Sequence, residues 1–178
     1  AVQNVTNGAD MFNTAVGYSS GSAITTGIRN VLMGGEAGDA LTDADDNVAV
    51  GALALSGDTL GSKSTAMGRG ALKVQNFTSA TDSFNTAVGY SAGEGVTTGR
   101  QNTLIGALAG DALTTGASNV AVGYGALTTE DVGQHNVAIG RDALSAQNTA
   151  SAANIYNTAV GSSAGVSVTT GVQNTLIG

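Results

Sequence analysis

Cysteine and proline are both absent from this chain. Without cysteine there is no disulfide staple and no thiolate metal site. Without proline nothing interrupts a ladder of strand hydrogen bonds. Aromatic residues are few: Phe12, Phe77, Phe84, Tyr18, Tyr90, Tyr124 and Tyr156, with no tryptophan. A rounded domain of 178 residues normally buries large aromatic anchors. The interior expected here is instead thin, filled by Ala, Val, Leu and Ile. Positive charge is also scarce, with 6 Lys and Arg against 13 Asp and Glu and a net charge of −7. That balance argues against nucleic acid, which calls for clustered basic residues, and against simple attachment to anionic lipid. No apolar run approaches the roughly 20 residues of a spanning helix, so no membrane span is expected.

What the chain has in quantity is one phrase: Asn, then Thr or Val, two apolar residues, and Gly. It starts at Asn13, Asn30, Asn47, Asn85, Asn102, Asn119, Asn136, Asn157 and Asn174, and once with Ser in place of Asn, at Ser64. Successive starts are 17 residues apart, except that every fourth step is 21, which makes a superperiod of 72. Full superperiods run 13–84 and 85–156, with partial ones at 1–12 and 157–178. The opening AVQNVTNGADMF matches KVQNFTSATDSF at 73–84 and SAQNTASAANIY at 145–156. A short fixed period marks a solenoid, in which each period is one coil stacked on the last. The fold expected is therefore all-β: a parallel β-solenoid, or β-roll, of about ten 17–21-residue coils, continuous as one domain over 1–178. Solenoids need polar end caps. The repeat starts and stops within a copy, so a piece of a longer fibre, or a unit whose ends are covered by neighbouring copies, is expected.

The coil NTAVGYSAGEGVTTGRQ, 85–101, shows the local logic. Asn85–Gly89 is short, β-branched and apolar, and reads as a strand. Alternation puts Thr86 and Val88 on one face and Ala87 and Gly89 on the other. Thr103 and Ile105 oppose Leu104 and Gly106 in the same way. Both faces are apolar, so the strand reads as buried on both. One face fills the coil, and the other calls for packing against other chains. Gly17, Gly34, Gly51, Gly68, Gly89, Gly106, Gly123, Gly140, Gly161 and Gly178 close the strands. They mark positive φ, or a backbone so close that no Cβ fits. A second, weaker strand is expected at 96–98 and 113–115, with Gly99 and Gly116 turning the chain back. The Asn column reads as a structural ladder, bonding amide to carbonyl between coils and satisfying turn backbone. Strand spacing sets a rise of about 4.8 Å per coil, so ten coils make a rod roughly 50 Å long.

Residues with chemical potential do not converge. Asp43, Asp45 and Asp46 offer oxygen ligands for a hard cation. One superperiod on, 115–118 holds no acid, so a periodic cation site is excluded and a solvated loop is expected. His135, the sole histidine, lies in the turn before Asn136. Glu130 and Asp131 are adjacent, and in an extended stretch they point apart rather than flanking a glycosidic bond. Threonine pairs at 25–26, 97–98, 114–115 and 169–170 fail in other coils, so a flat Thr array is broken. No catalytic, cofactor or metal residue is assigned, and no enzyme is expected. The lengthened coils, 76–84 and 148–156 with 4–12 as the earlier copy, are the candidates for a decorated surface. Each ends in an aromatic: Phe12, Phe84 or Tyr156. The simpler expectation is that the ring fills the gap beside the lengthened coil. The alternative is that these rings make weak glycan or receptor contacts, multiplied by avidity.

The series NTAVGYSAG, TTG, NTLIG, LTTG and NVAVGYGAL resembles the repeats of phage tail fibres and related tail-fibre-domain proteins. It is also similar to the head repeats of trimeric autotransporter adhesins, whose coils carry an Asn/Ser-x-Ala-Ile-Gly-like phrase. The resemblance covers Ala1 to Gly178. It implies a homotrimer of parallel β-rolls, packed around an axis through the face that lacks cover. Coil length departs from the adhesin heads, which use a period shorter than 17 and no regular 21-residue coil. The function implied is a structural shaft segment of a tail fibre or bacterial surface adhesin, extracellular, presenting or contributing to host-surface binding. A secreted filament of copies joined end to end is the alternative, and a polysaccharide-degrading tailspike is a third class.

Overall fold

A computed structural model describes residues 11–149 and 151–178. The lengthened-coil copy expected at 4–12 therefore lies mostly outside the described residues. Twelve short strands follow one another: β1 (Thr14–Val16), β2 (Val31–Met33), β3 (Val48–Val50), β4 (Gly61–Ser62), β5 (Thr65–Met67), β6 (Thr81–Asp82), β7 (Thr86–Val88), β8 (Thr103–Ile105), β9 (Val120–Val122), β10 (Val137–Ile139), β11 (Thr158–Val160) and β12 (Thr175–Ile177). Ten of them form one parallel sheet in chain order, and β4 and β6 pair separately. Equivalent residues lie over one another, as in Thr86↔Thr103, Ala87↔Leu104 and Val88↔Ile105. The chain is thus an all-β solenoid of about ten turns, with no helix among the described residues.

Each main-sheet strand is only three residues long, because a ladder Asn precedes it and a glycine ends it. The second strand expected at 96–98 and 113–115 does not form, and the chain bends there instead. The coils stay bonded at that point. The Thr97 N–H and its hydroxyl both donate to the Thr114 carbonyl, at 2.9 and 3.1 Å. A hydroxyl that shares the carbonyl with the backbone displaces regular ladder geometry. A true second pairing occurs at the first lengthened coil, where β6 lies beside β4. In the second lengthened coil it shrinks to one bridge, Gln134↔Asn154.

The interior is a small set of side-chain columns running along the stack. Leu32, Ala49, Ala66, Ala87, Leu104, Ala121, Ala138 and Ala159, the central strand residues, are buried. Four residues after each strand-closing glycine comes a second inward position in the left-handed region, held by Gly or by Leu. The two positions trade volume. A Cβ on Gly38 would meet methyls of Leu32 and Leu41 at 2.8 Å, and one on Gly93 would meet Leu104 at 2.6 Å. Where the strand offers only Ala49 or Ala66, the turn supplies Leu55 or Leu72, at φ 53° and 49°. A non-glycine residue there costs about 1–2 kcal/mol. Burying a leucine contributes about 1.5–3 kcal/mol, which offsets it.

The strand-closing glycines meet both conditions expected of them. Gly89 has φ +141°, and a Cβ on it would lie 2.5 Å from the Gly106 oxygen. Gly51 stands over Gly68 with 2.6 Å to the same backbone atoms. Gly89→Ala therefore combines left-handed strain with overpacking against backbone, and it should destabilise the chain by about 2–4 kcal/mol. Gly35→Ala meets nothing within 4 Å, and should stay within about 0.5 kcal/mol of the parent. Chemical denaturation of both variants checks the contrast.

Candidate functional site

The ladder Asn side chain is held by bonds in two directions. Its Oδ1 accepts the backbone N–H of the next ladder residue: 2.9 Å from Asn47 to Asn30, 2.8 Å from Ser64 to Asn47, 3.0 Å from Asn119 to Asn102. Its Nδ2 donates to a carbonyl at the far end of its own coil, as from Asn47 to Gly61 (2.9 Å), Asn85 to Gly99 (2.8 Å) and Asn102 to Gly116 (2.9 Å). Direct amide-to-amide contacts occur in some steps, such as Asn136 to Asn119 at 3.1 Å. The column thus ties coil to coil and also closes each coil. Asn157 still reaches Asn136 across a lengthened coil, at 3.3 Å.

The lengthened coils hold a feature the sequence reading missed. Counting eleven residues beyond the ladder positions from Asn13 to Asn136 gives Ile24, Leu41, Asp58, Gln75, Val96, Leu113, Glu130 and Gln147. Asp58, Gln75, Glu130 and Gln147 are as buried as the apolar residues in that column. Asp58 accepts the N–H groups of Gly61 and Phe77 at 3.0 Å and the Gln75 amide at 2.6 Å. Glu130 accepts the Gly133 N–H at 2.8 Å, the Gln147 amide at 3.0 Å and the Thr149 hydroxyl at 3.0 Å. Each glutamine in turn accepts from the following ladder residue, Asn85 or Asn157, at 2.8 Å. A buried carboxylate is tolerated only when it is satisfied in this way. The chemistry is structural: both carboxylates are enclosed, and each pins the start of an insertion. Glu130 points inward, and Asp131, half-buried, lies beyond that network. The signal that could have found these residues is polarity in a column that is apolar in the two preceding coils.

The insertions fill their interiors with opposite partners. Phe77 and Ser83 are buried in the first, Thr149 and Ile155 in the second. Ser64 bonds Ser83 and receives the Gln75 amide, so its hydroxyl works inside the first insertion. Phe12, Phe84 and Tyr156 do not fill the gap. They are 73, 51 and 49 % exposed, in left-handed conformation, directly before a ladder residue. That conformation turns the side chain outward into a surface column with Arg29, Asp46, Lys63, Gln101 and His135. Neighbours in the column touch: Lys63 sits 5.5 Å from the Phe84 centroid, and His135 stacks on Tyr156 at 5.0 Å. Arg29 grips Asp46 through two bonds, at 2.6 and 2.9 Å, and holds its carboxyl below the usual range. Of the acids beside it, Asp45 accepts the Ile28 N–H at 2.8 Å and Asp43 the Thr26 hydroxyl. Among the described residues no group of acids, His or Cys is placed to hold a metal ion.

The outward face of the main sheet is unpartnered within the chain. Its two columns are Thr or Val at the first strand position and Val, Met or Ile at the third. The sequence reading has this strand buried on both sides, yet within one chain only the inner side is. Val16, Met33, Met67, Ile105, Ile139 and Ile177 are exposed. None of these outward positions carries a charge. No family model, curated protein or solved structure matches this chain.

Two outcomes follow from these contacts. Asn102→Ala strands the buried Asn119 N–H and the Gly116 carbonyl, at about 1–3 kcal/mol for each stranded group, and denaturation should show a loss in that range. Asp39 is pushed above the usual carboxylate range, first by burial, and one of its oxygens has no partner among the described residues. A raised carboxyl pKa means the folded chain loses stability as pH rises through it. Asp39→Asn should therefore raise the melting temperature at neutral pH, with the gain vanishing once the parent Asp39 is protonated in acid.

Proposed function

We propose that this chain is a shaft segment of an extracellular fibre, of the kind found in phage tail fibres or bacterial surface adhesins, built from three copies packed through the outward sheet face. One observation carries the reading: a charge-free strip of Thr, Val, Met and Ile runs uninterrupted over ten strands. Solvent-facing strands are normally blunted with charge, and extended apolar patches mark interaction sites. A strip repeated in register along a rod fits another strip of the same kind, which is what cyclic copies supply. The 72-residue superperiod is then the axial unit of the shaft. The two buried polar clusters, Asp58–Gln75–Asn85 and Glu130–Gln147–Asn157, support that reading because each marks the same point of the unit. The shaft holds binding elements away from the particle or cell and is not an enzyme.

Sedimentation analysis of the purified chain should give a mass of three copies. Open-ended polymers would favour the end-to-end filament, and a monomer would overturn both. Ile105→Glu with Ile139→Glu buries unpaired carboxylates in the packed face, at about 3–5 kcal/mol each. The double variant should sediment as single chains with an unchanged β circular dichroism spectrum.

A further inference from the structure

Beside the first lengthened coil lies an open groove of about 710 Å³, with Asp43, Asp45, Asp82, Phe84, Arg100 and Gln101 on its walls. The insertion builds it. β6 runs beside β4, which brings Asp82 and Phe84 against residues of the coils on either side.

The groove's chemistry is not demanded by the stack. One superperiod on, the same six positions hold Thr115, Ala117, Asn154, Tyr156, Val172 and Gln173, and the coils pile up just as well. Three carboxylates and a guanidinium are therefore present at one insertion only. Their bonding leaves capacity open. One oxygen of Asp43 accepts the Thr26 hydroxyl, one of Asp45 the Ile28 N–H and one of Asp82 the Lys63 ammonium. The second oxygen of each has no protein hydrogen bond among the described residues. Arg100 is exposed and enters none of the ion pairs among them. The Phe84 ring is half exposed beside these groups.

We infer that this groove is a saccharide site, taking a neutral or amino-bearing pyranose unit of a surface polysaccharide. A pyranose has one apolar C–H face and a rim of hydroxyls that both donate and accept. Phe84 offers the platform, the aspartates accept, and Arg100 and the Gln101 amide donate. Other ligand classes fit less of the set. Three carboxylates against the Arg100 guanidinium and the Lys63 ammonium that pairs with Asp82 leave the groove net negative, which disfavours an anion. A metal ion would use neither Arg100 nor Phe84. The inference rests on the fibre reading only for its setting, an extracellular surface, and repetition of one weak site on three chains would supply avidity.

Saturation-transfer NMR with neutral hexoses, hexosamines and their short oligomers tests it, with N-acetylneuraminate as the anionic control. The wild-type chain should give transfer from at least one neutral or amino sugar and none from the control. Phe84→Asn, which suits the left-handed backbone, and Arg100→Ala should each weaken binding at least tenfold. Tyr156→Asn, at the equivalent place in the other insertion, should leave it unchanged. Sedimentation mass and melting temperature read on the same samples keep the two ideas apart: sugar binding by a monomer removes the fibre and leaves the site, and a trimer without binding does the reverse. Absence of transfer from every neutral and amino sugar, preference for the anion, or transfer unaltered in both Phe84→Asn and Arg100→Ala would overturn the assignment.

Discussion

The controlling constraint is the distance from one coil to the next. Strands pair in register about 4.8 Å apart, and wherever two coils superimpose without offset that spacing decides which residues are allowed. At the end of each strand the backbones come so close that a methyl group on Gly89 would sit inside the Gly106 carbonyl. At the start of each strand the same spacing suits the Asn side chain, whose oxygen reaches the next ladder N–H while its amide closes its own coil. Glycine and asparagine thus frame each strand for one geometric reason, seen from its two ends.

Stacking at this pitch leaves each coil only a few inward side chains, so volume must be shared between coils. Leu104 occupies space that Gly93 of the preceding coil vacates, and Leu55 and Leu72 accept left-handed backbone to reach the axis where the strand offers only alanine. The polar clusters belong to the same accounting. Where the chain lengthens, an extra turn of backbone enters the interior, and its N–H groups need acceptors. Asp58 and Glu130 supply them, each at the coil before the lengthened one, so that the insertion starts from a fixed point.

The repeat made most of this architecture legible from residues alone. Ten copies of the Asn-to-Gly phrase located every main strand, and alternation separated Ala87 from Thr86 and Val88; the structure adds that the Ala87 side is the inner one. Three things were not legible. The expected strand at 96–98 failed because threonine hydroxyls there bond the same carbonyls as the backbone. The burial of Asp58 and Glu130 was not read, since a carboxylate in a core column is recognisable only once the column itself is drawn. Phe84 and Tyr156 looked like gap fillers, but the residue before each ladder position takes positive φ, which turns its side chain outward whatever its type. The groove was hidden for a related reason: Asp43 and Phe84 are 41 positions apart and share a groove only because stacking leaves a single coil between theirs.

The placement of the extra residues separates the two roles proposed for the chain. Both insertions enter in the last part of their coils, before the next ladder residue. The main strands on either side, β5 and β7, still pair Thr65 with Thr86 and Met67 with Val88. Length, charge and aromatic rings vary where they do not disturb the sheet, and the outward strip keeps one composition from β1 to β12. A surface kept uniform over ten coils suits an equally uniform partner, and in the proposed fibre a second rod of the same sequence would meet that condition along its length. The insertions face no such requirement. They are free to differ from one another, as Asp82 and Asn154 do, and that freedom suits the recognition proposed for them.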